Sequence, residues 1–190
     1  MELKGSKTEK NLLAAFAGES QARNRYTLFA KAAQKEGYQQ IGALFLETAD
    51  NEHQHARVFF EFLQGGMVEI TASYPAGVVG TTLENLKAAA SGEHEEWETL
   101  YPGAANIARE EGFKQVAAAF DMIAKVEVKH EERYLKLAAN IGNSEVFKKQ
   151  TQTAWICRKC GHVHLSTDAP NICPLCKHPQ AHFEMKAENY

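Results

Sequence analysis

At 190 residues, 44% hydrophobic and 24% charged, the chain can bury one sizeable core beside a small second domain, which excludes a disordered or fibrous protein. A formal net charge of -3, with lysines and arginines scattered among acids, gives no general attraction to nucleic acid or to an anionic membrane. MELKGSKTEK has no apolar stretch behind it and no long apolar run occurs, so neither a secretory leader nor a membrane span is expected and a cytoplasmic location is.

Along the chain, Ser6 followed by Glu9 predicts a capping box that opens a helix running to the Glu36-Gly37 break, with Leu12, Phe16, Glu19, Tyr26 and Ala30 on one stripe. A second helix, ending before Gly65-Gly66, carries Ile41, Phe45, Thr48, Glu52, His55, Phe59 and Phe62. Residues 65 to 82 contain Gly and Pro without a helical stripe and are expected to form a long crossover. A third helix over 83 to 110 presents Leu86, Ala90, Glu93, then Glu96 or Trp97, and Leu100, and Pro102 should bend or interrupt it. Beyond Gly112 a fourth helix, 113 to 140, aligns Val116, Phe120, Ile123, Glu127, His130, Tyr134 and Leu137. From residue 154 the pattern becomes short-range and rich in Cys, Pro and His. The expected organisation is a helical domain over 1–142, a linker over 143–153 and a small domain over 154–190.

The chain also repeats itself. At an offset of 75, KEGYQQIGALF (35 to 45) lies over EEGFKQVAAAF (110 to 120), Glu52 over Glu127, His55 over His130 and Tyr26 over Tyr101. Two helical hairpins joined by a long connection predict an all-α four-helix bundle with a pseudo-two-fold axis. Glu19 falls on His94, which leaves Glu93, Glu95 and Glu96 open as its counterpart.

Each predicted helix carries an acid in the middle of an apolar stripe. Isolated carboxylates in a low-dielectric core are costly and several together repel, so cations are needed to hold them there. Glu52/His55 and Glu127/His130 are ExxH pairs, which place a carboxylate and an imidazole one turn apart on one face. With a glutamate from each remaining helix they match the ligand set of dimetal sites in bundles, against the plainer reading of a bundle with polar layers. The candidates Glu19, Glu52, Glu93, Glu96 and Glu127 supply five negative charges, suited to a redox pair of iron or manganese ions. With more donors than one geometry needs, Glu96 and His55 are expected to exchange as the metal charge changes.

All four cysteines fall between 157 and 176, as Cys157-Arg-Lys-Cys160 and Cys173-Pro-Leu-Cys176. Two such knuckles form a tetrahedral all-sulfur site for iron or zinc, and paired CxxC motifs in a reducing compartment favour metal over disulfides. Trp155 and Phe183 are expected to cover that metal, with His162 and His164 as ordinary surface histidines. A piece this small cannot build enough core unaided, so the metal should also be structural.

Glu19, Glu52-x-x-His55, Glu93-x-x-Glu96 and Glu127-x-x-His130, followed by the two cysteine knuckles, resemble the rubrerythrin family across essentially the whole chain. The resemblance implies a ferritin-like bundle with two non-haem irons, a rubredoxin-like domain with one iron (zinc being possible after expression), a homodimer, and reduction of hydrogen peroxide to water. It implies that Glu52 and Glu127 bridge, that Glu19 and Glu93 are terminal ligands, that His130 binds one iron, and that Glu96 or His55 binds the other according to redox state. Tyr26 and Tyr101 resemble the family's tyrosines beside the site, either with a direct catalytic part or as packed core aromatics with a hydrogen-bonded hydroxyl. An external donor, a rubredoxin or an NAD(P)H-dependent reductase, would supply electrons. The alternatives are a ferroxidase or iron-storage protein, which the thiolate domain argues against, and a binding protein with a zinc ribbon. Lys177 stands where rubredoxins usually carry glycine.

Overall fold

The computed structural model describes residues 2–189. Four helical rods form the bundle: α1 (Lys7–Lys35), α2 (Gln39–Glu61), a rod made of α3 (Thr82–Glu95), a π-helical turn (Glu96–Leu100) and α4 (Tyr101–Glu110), and α5 (Lys114–Gly142). β1 (Lys148–Cys157), β2 (Val163–Asp168) and β3 (Phe183–Met185) then form an antiparallel sheet of order β2-β1-β3. β1 already begins inside the stretch 143–153.

The Ser6 hydroxyl caps α1 by accepting from the Glu9 N–H at 3.0 Å. Glu9 reaches back one residue further than a capping box requires, accepting from the Gly5 N–H at 2.7 Å, because the Ser6 N–H is already bonded to the Leu3 carbonyl. α1 gains further partners from the other hairpin: the Glu111 carboxylate accepts from the N–H groups of Lys7 and Thr8 at 3.1 and 2.9 Å. Glu36, 75 positions earlier, does the same for α3 through the Thr82 N–H at 3.1 Å. The two hairpins therefore cap one another, satisfying helix-end donors that have no partner within their own helix. Both hairpin turns pass through a left-handed glycine, Gly37 at φ +91° and Gly112 at φ +89°, a conformation costly for any residue with a Cβ.

The third rod is interrupted by a change of ladder. Pro102 has no N–H, and just before it the Tyr101 N–H bonds to the Glu96 carbonyl, five residues back. The extra residue in that turn rotates the rest of the rod, so Leu100, expected on the buried stripe, is 50% exposed. Tyr101 is buried in its place.

The bundle core is in two parts. Tyr26, Phe29, Ile41, Phe45, Leu86 and Tyr134 form one apolar cluster, while Leu12, Phe59, Tyr101, Phe120 and Ile123 form the other. Glu19, Glu52, Glu93 and Glu127, one on each rod, fall between residues of the two clusters, so a polar layer crosses the bundle at mid-height. In the small domain Trp155, Phe183, Cys157, Cys173 and Ala169 pack as one core, and its Phe147 ring stacks on Tyr38 of the first hairpin at 6.2 Å and 9°.

Candidate metal centres

In the polar layer two groups of donors converge: Glu19, Glu52, His55 and Glu127 in one, Glu52, Glu93, Glu127 and His130 in the other, with ligand atoms inside each group within 4.8 Å of one another. Glu52 and Glu127 belong to both groups, and they divide their oxygens between the two histidines. His55 Nδ1 lies 2.9 Å from Glu52 Oε2 and 2.9 Å from Glu127 Oε1, whereas His130 Nδ1 lies 3.2 Å from Glu52 Oε1 and 2.7 Å from Glu127 Oε2. Glu19 Oε1 adds to the first side at 3.8 Å and Glu93 Oε2 to the second at 3.7 Å.

These contacts are short but misdirected for hydrogen bonding. Both oxygens of Glu52 and of Glu127, one each of Glu19 and Glu93, and Nδ1 of both histidines are buried without a hydrogen-bond partner. Buried polar atoms are almost always satisfied, so eight unsatisfied donor atoms facing one another fit metal ions as their partners. His130 Nε2 lies 3.3 Å from Asn51 Oδ1, which favours the tautomer with its proton on Nε2 and leaves the Nδ1 lone pair facing inward.

Without cations the charges must be settled by protons. Burial, reinforced by Glu127, Glu52 and Glu96, holds the Glu19 carboxyl well above the usual carboxylate range. Burial and then Glu52 push Glu93 up to about 8. Burial would lower both imidazoles, but the surrounding carboxylates outweigh it, holding His55 at about 9 and His130 at about 12. Glu127 is the exception: burial raises it, yet His130 and His55 bring it below its ordinary value. A cluster in which burial and neighbouring carboxylates push so many carboxyls toward their protonated form is poorly matched to an ion-free core.

Two tyrosines fix the outer carboxylates. Tyr26 Oη donates to Glu93 Oε1 at 2.5 Å and Tyr101 Oη donates to Glu19 Oε1, leaving the second oxygen of each carboxylate free to face inward. Tyr101→Phe leaves Glu19 Oε1 unsatisfied and is expected to cost about 1–3 kcal/mol, measurable by urea unfolding of the metal-free protein. An unchanged midpoint would show that the hydroxyl does not hold Glu19.

Six of the seven predicted bundle donors thus come together. Glu96 stands outside both groups, at the start of the π turn, partly buried and close enough for Glu93, Glu127 and Glu52 to push its carboxyl upward after burial itself. Of the acids left open by the repeat, Glu93 is buried and Glu95 exposed. Asn51 was not legible from the repeat, because position 126 opposite it is a valine.

The four cysteines form a third group, with Cys157 and Cys176 sulfurs 3.7 Å apart and those of Cys160 and Cys173 also 3.7 Å apart. Four thiolates at about 2.3 Å from a tetrahedral metal stand about 3.8 Å from one another, so the spacing fits an ion. Gly161 after the first knuckle has φ +75°, and Lys177 after the second takes the same left-handed form at φ +62°. Lys177→Gly should therefore stabilise the small domain by about 1 kcal/mol, read as slower loss of its metal to a chelator on heating. Faster loss would mean that the lysine, whose Nζ donates to the Pro174 carbonyl at 2.8 Å, contributes more than its backbone costs.

Comparison with known proteins agrees with both parts of the molecule. The profile described as Rubrerythrin matches residues 10–138, and the profile described as the rubrerythrin rubredoxin-like domain matches residues 155–184. Rubrerythrin of Porphyromonas gingivalis is 60% identical over 188 residues, covering 99% of this chain and 94% of its own. Rubrerythrin of Nitratidesulfovibrio vulgaris is 53% identical over 188 residues, covering 99% and 98%. Among solved structures, nigerythrin in its fully reduced, all-ferrous state has a TM-score of 0.64 at 31% identity, covering 96% of this chain and 91% of its own. Among the described residues no helix is long and apolar enough to cross a membrane.

Proposed function

Because the chain belongs to the rubrerythrin family of diiron oxidoreductases, we propose that it reduces hydrogen peroxide to water at the bundle centre and is re-reduced through the tetrathiolate iron. The observation that carries this reading is the division of the Glu52 and Glu127 oxygens between His55 and His130, the arrangement two bridging carboxylates need. In this reading Glu19 and His55 complete one ion's donors and Glu93 and His130 the other's, while Glu96 is held in reserve. When bound, the reduced iron pair supplies the two electrons that breaking an O–O bond requires, one from each ion.

The protein's own groups set the conditions. Glu52 and Glu127, anchored on α2 and α5, fix the distance between the two positions. Tyr26 and Tyr101 orient the outer carboxylates and keep a phenolic proton at each edge of the centre, and the reduction of peroxide to water consumes two protons. The apolar clusters above and below keep the layer's surroundings of low polarity, which strengthens the electrostatic contacts inside. Cys157, Cys160, Cys173 and Cys176 hold the one-electron iron in the domain taken as 154–190, joined through 143–153 to the bundle domain, 1–142. The protein acts in this reading as a cytoplasmic homodimer fed by an external donor, a rubredoxin or an NAD(P)H-dependent reductase.

Anaerobic reduction followed by one equivalent of hydrogen peroxide or of oxygen tests the activity. Peroxide should reoxidise the protein faster; faster reaction with oxygen would turn the assignment to a ferroxidase.

A further inference from the structure

Beside the polar layer lies a cavity of about 350 Å³ under the crossover that joins α2 to α3. Glu96 and the buried Tyr101 and Phe120 line its inner end, and the Tyr101 hydroxyl is bonded to Glu19, so the cavity reaches the edge of the dimetal centre. Ala14, Ala15, Leu100 and Ala104 form apolar walls. Tyr74 and Pro75 roof it, and the roof is fastened by the Tyr74 hydroxyl donating to the Ala14 carbonyl at 2.6 Å.

The cavity is much larger than the substrate proposed above. Hydrogen peroxide fills roughly two waters' worth of space, about 60 Å³, whereas this volume is at the lower end of small-molecule sites. Its charge is also informative. Arg25 lines the cavity with its Nε buried and unpartnered, but Glu95 and Glu96 line it too, so no surplus positive charge awaits an anionic tail. The small side chains along the walls leave room for an uncharged apolar group.

Building on the peroxidase reading, we propose that this cavity admits neutral organic hydroperoxides with a compact alkyl or aryl tail and presents their O–O bond to the dimetal centre. The step balances as for hydrogen peroxide: the O–O bond breaks, the reduced centre gives up two electrons, and two protons are taken up to release one alcohol and one water. Cumene hydroperoxide is the probe.

The anaerobically reduced holoprotein should be reoxidised by cumene hydroperoxide at a rate within about tenfold of that for hydrogen peroxide. Ala14→Phe, which enlarges a wall residue that is not itself a metal donor, should slow the organic substrate by more than about tenfold and leave hydrogen peroxide within about twofold. Independently of turnover, the methyl protons of the product alcohol, 2-phenyl-2-propanol, should be broadened by the paramagnetic reduced holoprotein, and the broadening should disappear in Ala14→Phe. Reoxidation by hydrogen peroxide but not by cumene hydroperoxide, equal slowing of both by Ala14→Phe, or no broadening in the unsubstituted protein would each overturn the inference and leave the peroxidase reading standing. Failure of both peroxides to reoxidise the protein would overturn the two together.

Discussion

Glu127→Ala is expected to strip both ions from the bundle while leaving the visible absorption of the ferric tetrathiolate intact. Glu127 is in both donor groups, with Oε1 at 2.9 Å from His55 Nδ1 and Oε2 at 2.7 Å from His130 Nδ1. Its loss leaves each position with three donors, one carboxylate fewer, and a void at the centre of the layer. Changes to groups that merely support a ligand cost roughly 10–100-fold in metal affinity, so losing a carboxylate shared by two ions should cost more. The cysteines lie in the C-terminal domain, Cys157 at the end of β1 and the other three in the turns beyond it, away from the polar layer, and should keep their metal. Elemental analysis checks this directly: unchanged bundle iron would remove Glu127 from the ligand set.

Metal-free protein should become less stable as pH rises from roughly 5 to 9, whereas the iron-loaded protein should not. The sign is set by which state binds protons more tightly. Glu93 is held at about 8 in the folded chain against an ordinary value near 4.5, so its stabilising proton is fully retained at acid pH and lost as pH climbs through 8. Glu19 and Glu96, also held above the usual range by burial, act in the same direction. His55, at about 9 against 6.5, adds a second loss between those values, and His130, at about 12, continues it at higher pH. Glu127 opposes this only on the acid side, since its depressed value withdraws stability as pH falls below the ordinary carboxylate range. The net change is on the order of a few kcal/mol, or roughly 10 °C in melting temperature for a chain of this size. Bound ions take the place of those protons, and because ligands must be deprotonated to bind them, metal affinity strengthens with pH. Thermal scans of the two forms across this range provide the check; parallel curves would mean that protons and metals do not compete for these residues.

Most of the site was legible because helical periodicity alone puts Glu52 beside His55 and Glu127 beside His130, and the repeat doubles the signal. The part that stayed hidden depends on a single turn. Pro102 announces a disturbance in the third rod but not its kind, and the π turn before it leaves Leu100 exposed although the stripe placed it inside, while Tyr101, which the repeat sets over Tyr26, is buried as expected. The reciprocal caps of Glu36 and Glu111 were equally invisible, since each joins residues far apart in the chain and depends on how the hairpins dock. In the small domain Lys177 could be read, because the knuckle before it matches that of Gly161 and imposes the same left-handed backbone.

Anomalous diffraction at the iron edge, from crystals grown with iron in excess, tests most directly whether positive ions hold the acidic layer together. Two peaks about 3–4 Å apart between Glu52 and Glu127, with a third among the four cysteines, are expected. A bundle that crystallises with the tetrathiolate peak alone, its mid-height glutamates hydrogen-bonded to one another through shared protons, would contradict the account.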